Sequence, residues 1–159
     1  MTSLLVDQFR ARLAALAAPE VLQITDGDER LSCDLAEVQP LACSVRRVSL
    51  STTRWANASI ASLKQVSDDL SARLTYLLEP VGPVEVDPCQ CVVQMRSNPP
   101  QTDDDGTRYY ELLVAQGGAI TLSRYQKQPG SVRQLVPAIM TQEVLVRLVS
   151  DFAAAVAQK

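Results

Sequence analysis

No histidine occurs anywhere in the chain. That absence removes Ser-His-Asp and Cys-His nucleophile pairs, and every imidazole metal site, from the chemistry that one copy can perform. The phosphate-cradling pattern G-x-x-x-x-G-K-[ST] and the dinucleotide fingerprint G-x-G-x-x-G are also missing, so no nucleotide cofactor is expected. Aromatic residues make up only 4% of the chain, which leaves the core to aliphatic side chains. Lysine is scarce: twelve of the fifteen cationic residues are arginine and three are lysine, a bias that fits a GC-rich bacterial genome. No apolar run approaches the ~18 residues of a membrane span. Asp7, Arg10 and Arg12 interrupt the opening segment where a secretory leader needs an unbroken apolar stretch. A cytoplasmic protein with reduced cysteines is the expectation.

What is present describes a globular protein. At 159 residues, 47% hydrophobic and 21% charged, the chain suits one domain that buries roughly 70% of its unfolded surface. Net charge is −3, which disfavours nucleic-acid binding by the surface as a whole. The charge is unevenly placed: residues 1–105 hold nine basic and fifteen acidic side chains, whereas 106–159 hold six and three.

The segment Thr107–Lys127 reads as a β-hairpin with Gly117-Gly118 at its tip, because glycine accepts the positive φ of primed turns. Tyr110, Leu112 and Val114 share one face with Ile120 and Leu122, and that face needs a helix over it. Before it, Leu5, Val6, Phe9, Leu13 and Leu16 recur at helical spacing from Ser3 to Ala18. VLQIT and RLSCDLAEV follow as a hairpin around Asp26-Gly27-Asp28. A third strand spans 42–51. Its alternation changes phase at Arg46-Arg47, which predicts either a β-bulge or burial of its two halves on opposite faces.

Ile60, Leu63, Val66, Leu70, Leu74 and Leu77 predict a long central helix over 57–78, with Lys64–Asp68 and Asp69–Arg73 as i, i+4 pairs and Trp55 packing at its entrance. Cys89–Arg96 predicts a strand, and 97–106 a loop with two prolines and three aspartates. Val132–Ile139 completes an antiparallel meander after the turn at 128–131. Thr141 is the expected N-cap of a last helix with Leu145, Leu148, Val149, Phe152 and Val156 on its buried stripe. The order is α-βββ-α-ββββ-α, with room for another short strand near Val84, and the class is α+β.

Cys33, Cys43, Cys89 and Cys91 could supply four thiolates to zinc, but strand-borne cysteines on apolar faces read better as buried thiols, and no metal is expected. Asp103-Asp104-Asp105-Gly106 lacks the alternating ligands of a calcium loop and reads as a solvated tip. Arg108, Tyr109, Arg124, Tyr125, Lys127 and Arg133 form the candidate interaction surface, since arginine interleaved with tyrosine suits interface hot spots. No residue is singled out as catalytic.

The leading reading is a non-enzymatic protein-interaction module, such as an adaptor, specialised chaperone or assembly subunit, acting as a homodimer. One alternative is a small-ligand-binding or enzymatic domain with a cavity between helix and sheet, for which Arg47, Gln94 and Tyr110 are the inward polar candidates. Another is single-stranded nucleic-acid binding by the basic sheet face. In size, acidity and element order the chain resembles the small dimeric chaperones of type III secretion, a resemblance that covers topology and carries no shared motif.

Overall fold

The computed structural model describes residues 3–117 and 119–157. Helix α1, Leu4–Ala15, begins at Ser3, whose Oγ accepts from the Val6 amide at 3.2 Å, and it buries Leu5, Val6, Phe9 and Leu13. Strands β1 (Glu20–Asp26), β2 (Glu29–Val38) and β3 (Cys43–Thr52) follow as an antiparallel run. A short 3-10 turn, Thr53–Trp55, leads into α2, Ile60–Arg73. Then come β4 (Val81–Asp87), β5 (Val92–Ser97), β6 (Gln101–Asp103), β7 (Gly106–Ala115), β8 (Ala119–Lys127), β9 (Gln134–Val136) and β10 (Ala138–Met140). The last helix is α3, Gln142–Ala157.

The ten strands form one antiparallel sheet whose main path runs β1-β2-β3-β8-β7-β5-β4, so β8 is its middle strand. All three helices lie on the same side, α1 against α3 and β1, α3 also on β3, and α2 across β4, β5 and β7. The alternation in the strands explains why. Leu31, Cys33 and Leu35 on β2, Val48 and Leu50 on β3, and Leu112 and Val114 on β7 all point to that layer and are buried. Phe9 and Phe152 are the largest side chains sealed inside, among leucine, valine and isoleucine. The α+β class and the apolar face of the central hairpin are as the sequence predicts.

The phase change in β3 is a bulge. Asp34 pairs with Arg47 and Leu35 with Val45, leaving Arg46 as the extra residue, so Cys43, Val45, Val48 and Leu50 all reach the same core. Gly117 has φ +87°, as a glycine turn requires, while Gly118 lies outside the described residues.

The central helix is shorter than its apolar periodicity predicts. Ser59 caps it, and it ends at Arg73 because Leu74 turns to φ −84°, ψ 63°, giving fourteen residues and roughly 21 Å. Leu74 and Leu77 are buried all the same, packed from irregular chain, and burial alone kept the helical spacing alive past the helix. Of its two anticipated exposed pairs, Asp69 and Arg73 meet at 2.8 Å. Near Val84 there is a strand of seven residues, β4. Cys89 and Cys91 sit in the turn after it rather than on β5, because Asp87 Oδ1 accepts from the Cys89 and Gln90 amides and folds the chain back. Within the loop foreseen at 97–106, Gln101–Asp103 forms β6 against β7. The strand foreseen over 132–139 is two strands, β9 and β10, divided by Pro137, which has no amide hydrogen for a continuous ladder.

The β7–β8 hairpin is the spine of the sheet, and both its arms change partner at the same height. β7 pairs with β5 over Glu111–Ala115 and with β6 over Gly106–Arg108. β8 pairs with β3 over Ala119–Ser123 and with β9 over Arg124–Gln126. Beyond its bulge β3 pairs with β10 instead, so β9 and β10 fill the gap where β3 leaves β8.

The far end of this spine depends on Gly106, which has φ +119° and would place a Cβ 2.6 Å from the Lys127 carbonyl oxygen. Gly106→Ala is expected to lower stability by about 2–3 kcal/mol. Gly130→Ala, where a Cβ meets nothing within 4 Å, should cost only about 1 kcal/mol. Urea midpoints of the two variants check the difference.

Candidate interaction surface

The side of the sheet away from the helices is built from short polar residues in the middle and a charged, aromatic cluster where the spine changes partners. Register places Ser32, Ser49, Thr121, Leu113 and Gln94 in one row across β2, β3, β8, β7 and β5. Ser49 and Thr121 hydroxyls are 3.1 Å apart. The next row reads Asp34, Arg47, Ser123, Glu111 and Arg96. One step further stand Tyr109 and Tyr125, directly paired, with ring centres 6.0 Å apart.

Glu111 anchors this cluster. It is only 5% exposed, and its carboxylate accepts from Arg133 Nη1 at 2.6 Å and Gln94 Nε2 at 2.9 Å, with Arg96 Nη2 at 3.8 Å. The hydrogen bond that Arg133 donates to Glu111 raises the Arg133 pKa above the usual arginine range. The same guanidinium lies 3.9 Å from the Tyr125 ring centre, and Arg96 lies 4.9 Å from that of Tyr109. Arg47 donates from Nε to Ser123 Oγ at 3.2 Å.

A second network occupies the opposite side of the same strands. Arg124, 8% exposed, grips Glu79 with both terminal nitrogens at 3.3 and 2.9 Å, donates to Gln101 at 3.0 Å, and lies 4.4 Å from the Tyr110 ring centre. Here the helices do not reach. A groove of about 880 Å³ opens between the 77–80 loop and the β6-β9 end of the sheet, walled by Pro80, Pro99, Pro100 and Pro137. Leu78 stands at its rim, 96% exposed with φ +67°.

The six residues singled out from the sequence therefore gather at one end of the sheet but divide between its faces. Tyr109, Tyr125 and Arg133 share the outer cluster. Lys127 follows on that side and donates to the Ser131 carbonyl at 3.1 Å. Arg124 and Arg108 face the helix side, where Arg108 pairs with Asp103 at 3.1 Å; strand alternation makes the split unavoidable. Of the three inward polar candidates, Tyr110 borders the groove, whereas Arg47 and Gln94 lie on the outer face. The sequence pattern does not single out Glu111 and Glu79, the acids that organise both networks. The available signal is Glu111 itself, the lone acid of β7, set directly before the apolar run Leu112–Ala115.

Cys33 and Cys43 are buried on the helix side, Cys89 is exposed and Cys91 half-buried, all four as free thiols. The reading of all four cysteines as buried strand thiols thus holds for the first pair alone. Burial pushes the Cys33 thiol up to about 12 and raises Cys43. Burial also raises Tyr76, with help from its hydrogen bond to Asp151 at 2.6 Å. Each group keeps its proton in the folded state where the unfolded chain releases it. Stability is therefore expected to fall as pH rises from about 9 toward 12, which urea midpoints at pH 8 and pH 10.5 will show.

These features define an α+β protein with one helix-covered and one uncovered sheet face. Comparison with protein-family models, curated proteins and solved structures found no match to the chain. Among the described residues no helix is long and apolar enough to cross a membrane.

Proposed function

We propose that this chain is a non-enzymatic protein-interaction module, an adaptor, specialised chaperone or assembly subunit, that works as a homodimer through its outer sheet face. One observation carries the reading: among the described residues all three helices pack on one side, and no layer lies over the other side of seven strands. An antiparallel sheet tolerates solvent on one face. This face, however, also carries an arginine-tyrosine cluster with Leu135 exposed beside Tyr125, a composition typical of binding surfaces.

Native mass spectrometry on the untagged protein tests the proposal. A dimer without added mass is the expected spectrum. A monomer at micromolar concentration overturns the homodimer. The proline-walled groove favours small-ligand binding as a second reading, and a monomer with extra bound mass would select it. Binding of single-stranded nucleic acid that weakens steeply with salt would replace both.

A further inference from the structure

We infer that two copies pack outer face to outer face about a two-fold axis running along β8, so that β2 and β3 of each copy lie over β5 and β7 of the other. The inference rests on the homodimer reading and specifies its geometry. β8 has three strands on either side in the main path of the sheet, so an axis along it exchanges the two halves of the face.

Those halves carry opposite charge. On the β2–β3 half, Arg30, Arg46 and Arg47 stand against Asp34 and Glu37. On the β7-β5-β4 half, Glu85, Asp87 and Glu111 stand against Arg96 and the incoming Arg133. A two-fold axis along the strands lays the cationic half on the acidic half. An axis across the strands would lay each half on its own copy, like on like, which electrostatic complementarity disfavours. In the charged row, Asp34 and Arg96 each lie two strands from β8 on opposite sides, so the axis sets Asp34 of one copy opposite Arg96 of the other. Both side chains are partly accessible for this, at 35% and 40% exposed, Asp34 while holding Arg46 of its own copy at 3.2 Å and Arg96 while lying 3.8 Å from Glu111.

Toward the Ala119 end of β8 the rows at the axis hold Ser49, Thr121 and Leu113, then Ser51, Ala119 and Ala115, and these mostly short side chains permit the roughly 10 Å spacing of packed sheets. Toward the other end the axis passes Ser123 and then Tyr125 with Arg133 stacked on it, so there the two copies meet through their arginine-tyrosine clusters. Seven strands about 4.8 Å apart and some 25 Å long present a face of roughly 800 Å², the share each partner contributes to an interface of ordinary size.

The test is dimer dissociation by sedimentation equilibrium for Asp34→Arg, Arg96→Gln and the double variant, with thermal melts confirming folding. Asp34→Arg should weaken the dimer at least tenfold by setting arginine against arginine, and adding Arg96→Gln should recover most of that loss. A dimer indifferent to Asp34→Arg, or effects of the two changes that simply add, overturns the axis while leaving the homodimer standing. A wild-type monomer overturns both. Independently, in a Cys89→Ser background, Thr121→Cys on the axis should cross-link between copies with a short bismaleimide, whereas Ser32→Cys, two strands off the axis, should not. The reverse pattern selects another axis.

Discussion

Arg124→Ala is expected to lower stability by about 3–5 kcal/mol, which for a chain of this size lowers the melting temperature by roughly 10 °C. The side chains of Arg124 and Glu79 are only 10% and 12% exposed. Removing the guanidinium leaves the Glu79 carboxylate in a site with little water and also strips a donor from Gln101. The same truncation lets go of the 77–80 loop, which the pair ties to β8. Replacing both partners, as Glu79→Gln with Arg124→Met, should cost less than Arg124→Ala alone, because no charge is then left stranded. Thermal denaturation of the three variants checks the order. A loss below 1 kcal/mol for Arg124→Ala would mean that water reaches the pair freely.

The second large effect concerns Glu111. Removing both of its cations, as Arg96→Ala with Arg133→Ala, should cost about 3–5 kcal/mol at neutral pH. Glu111→Gln should cost only about 1–2 kcal/mol, because the arginines it releases are 38–40% exposed and can hydrate. Urea midpoints of the two variants at neutral pH separate them.

These networks also change how the basic end of the chain is to be probed. Read from the sequence, Arg124 and Arg133 are equivalent cations on a strand-rich surface. In the fold Arg124 is a buried tie, and only Arg133 stands where a partner could meet it. A charge reversal at Arg124 would test folding rather than binding. Partner experiments belong to Arg47, Tyr125 and Asp34 on the outer face.

Local pattern was sufficient for much of the fold. Alternation in residues 31–35 and 110–122, glycine at 117, helical spacing in 5–13 and 145–156, and the doubled arginine at 46–47 each reflect a backbone period or a φ that neighbouring residues alone impose. Absence of histidine and of phosphate-binding loops was equally local information. Tertiary structure decided the rest, because it depends on partners far apart in the chain. Leu74 and Leu77 continue a helical spacing that the backbone has already abandoned, since burial and not hydrogen bonding governs them. Glu79 reaches Arg124 across 45 residues, and the exchange of partners along β7 and β8 depends on where β3, β5, β6 and β9 arrive. A strand's own sequence fixes which of its side chains share a face. Which face is covered, and which charge is sealed beside which, follows only when the long-range register is set.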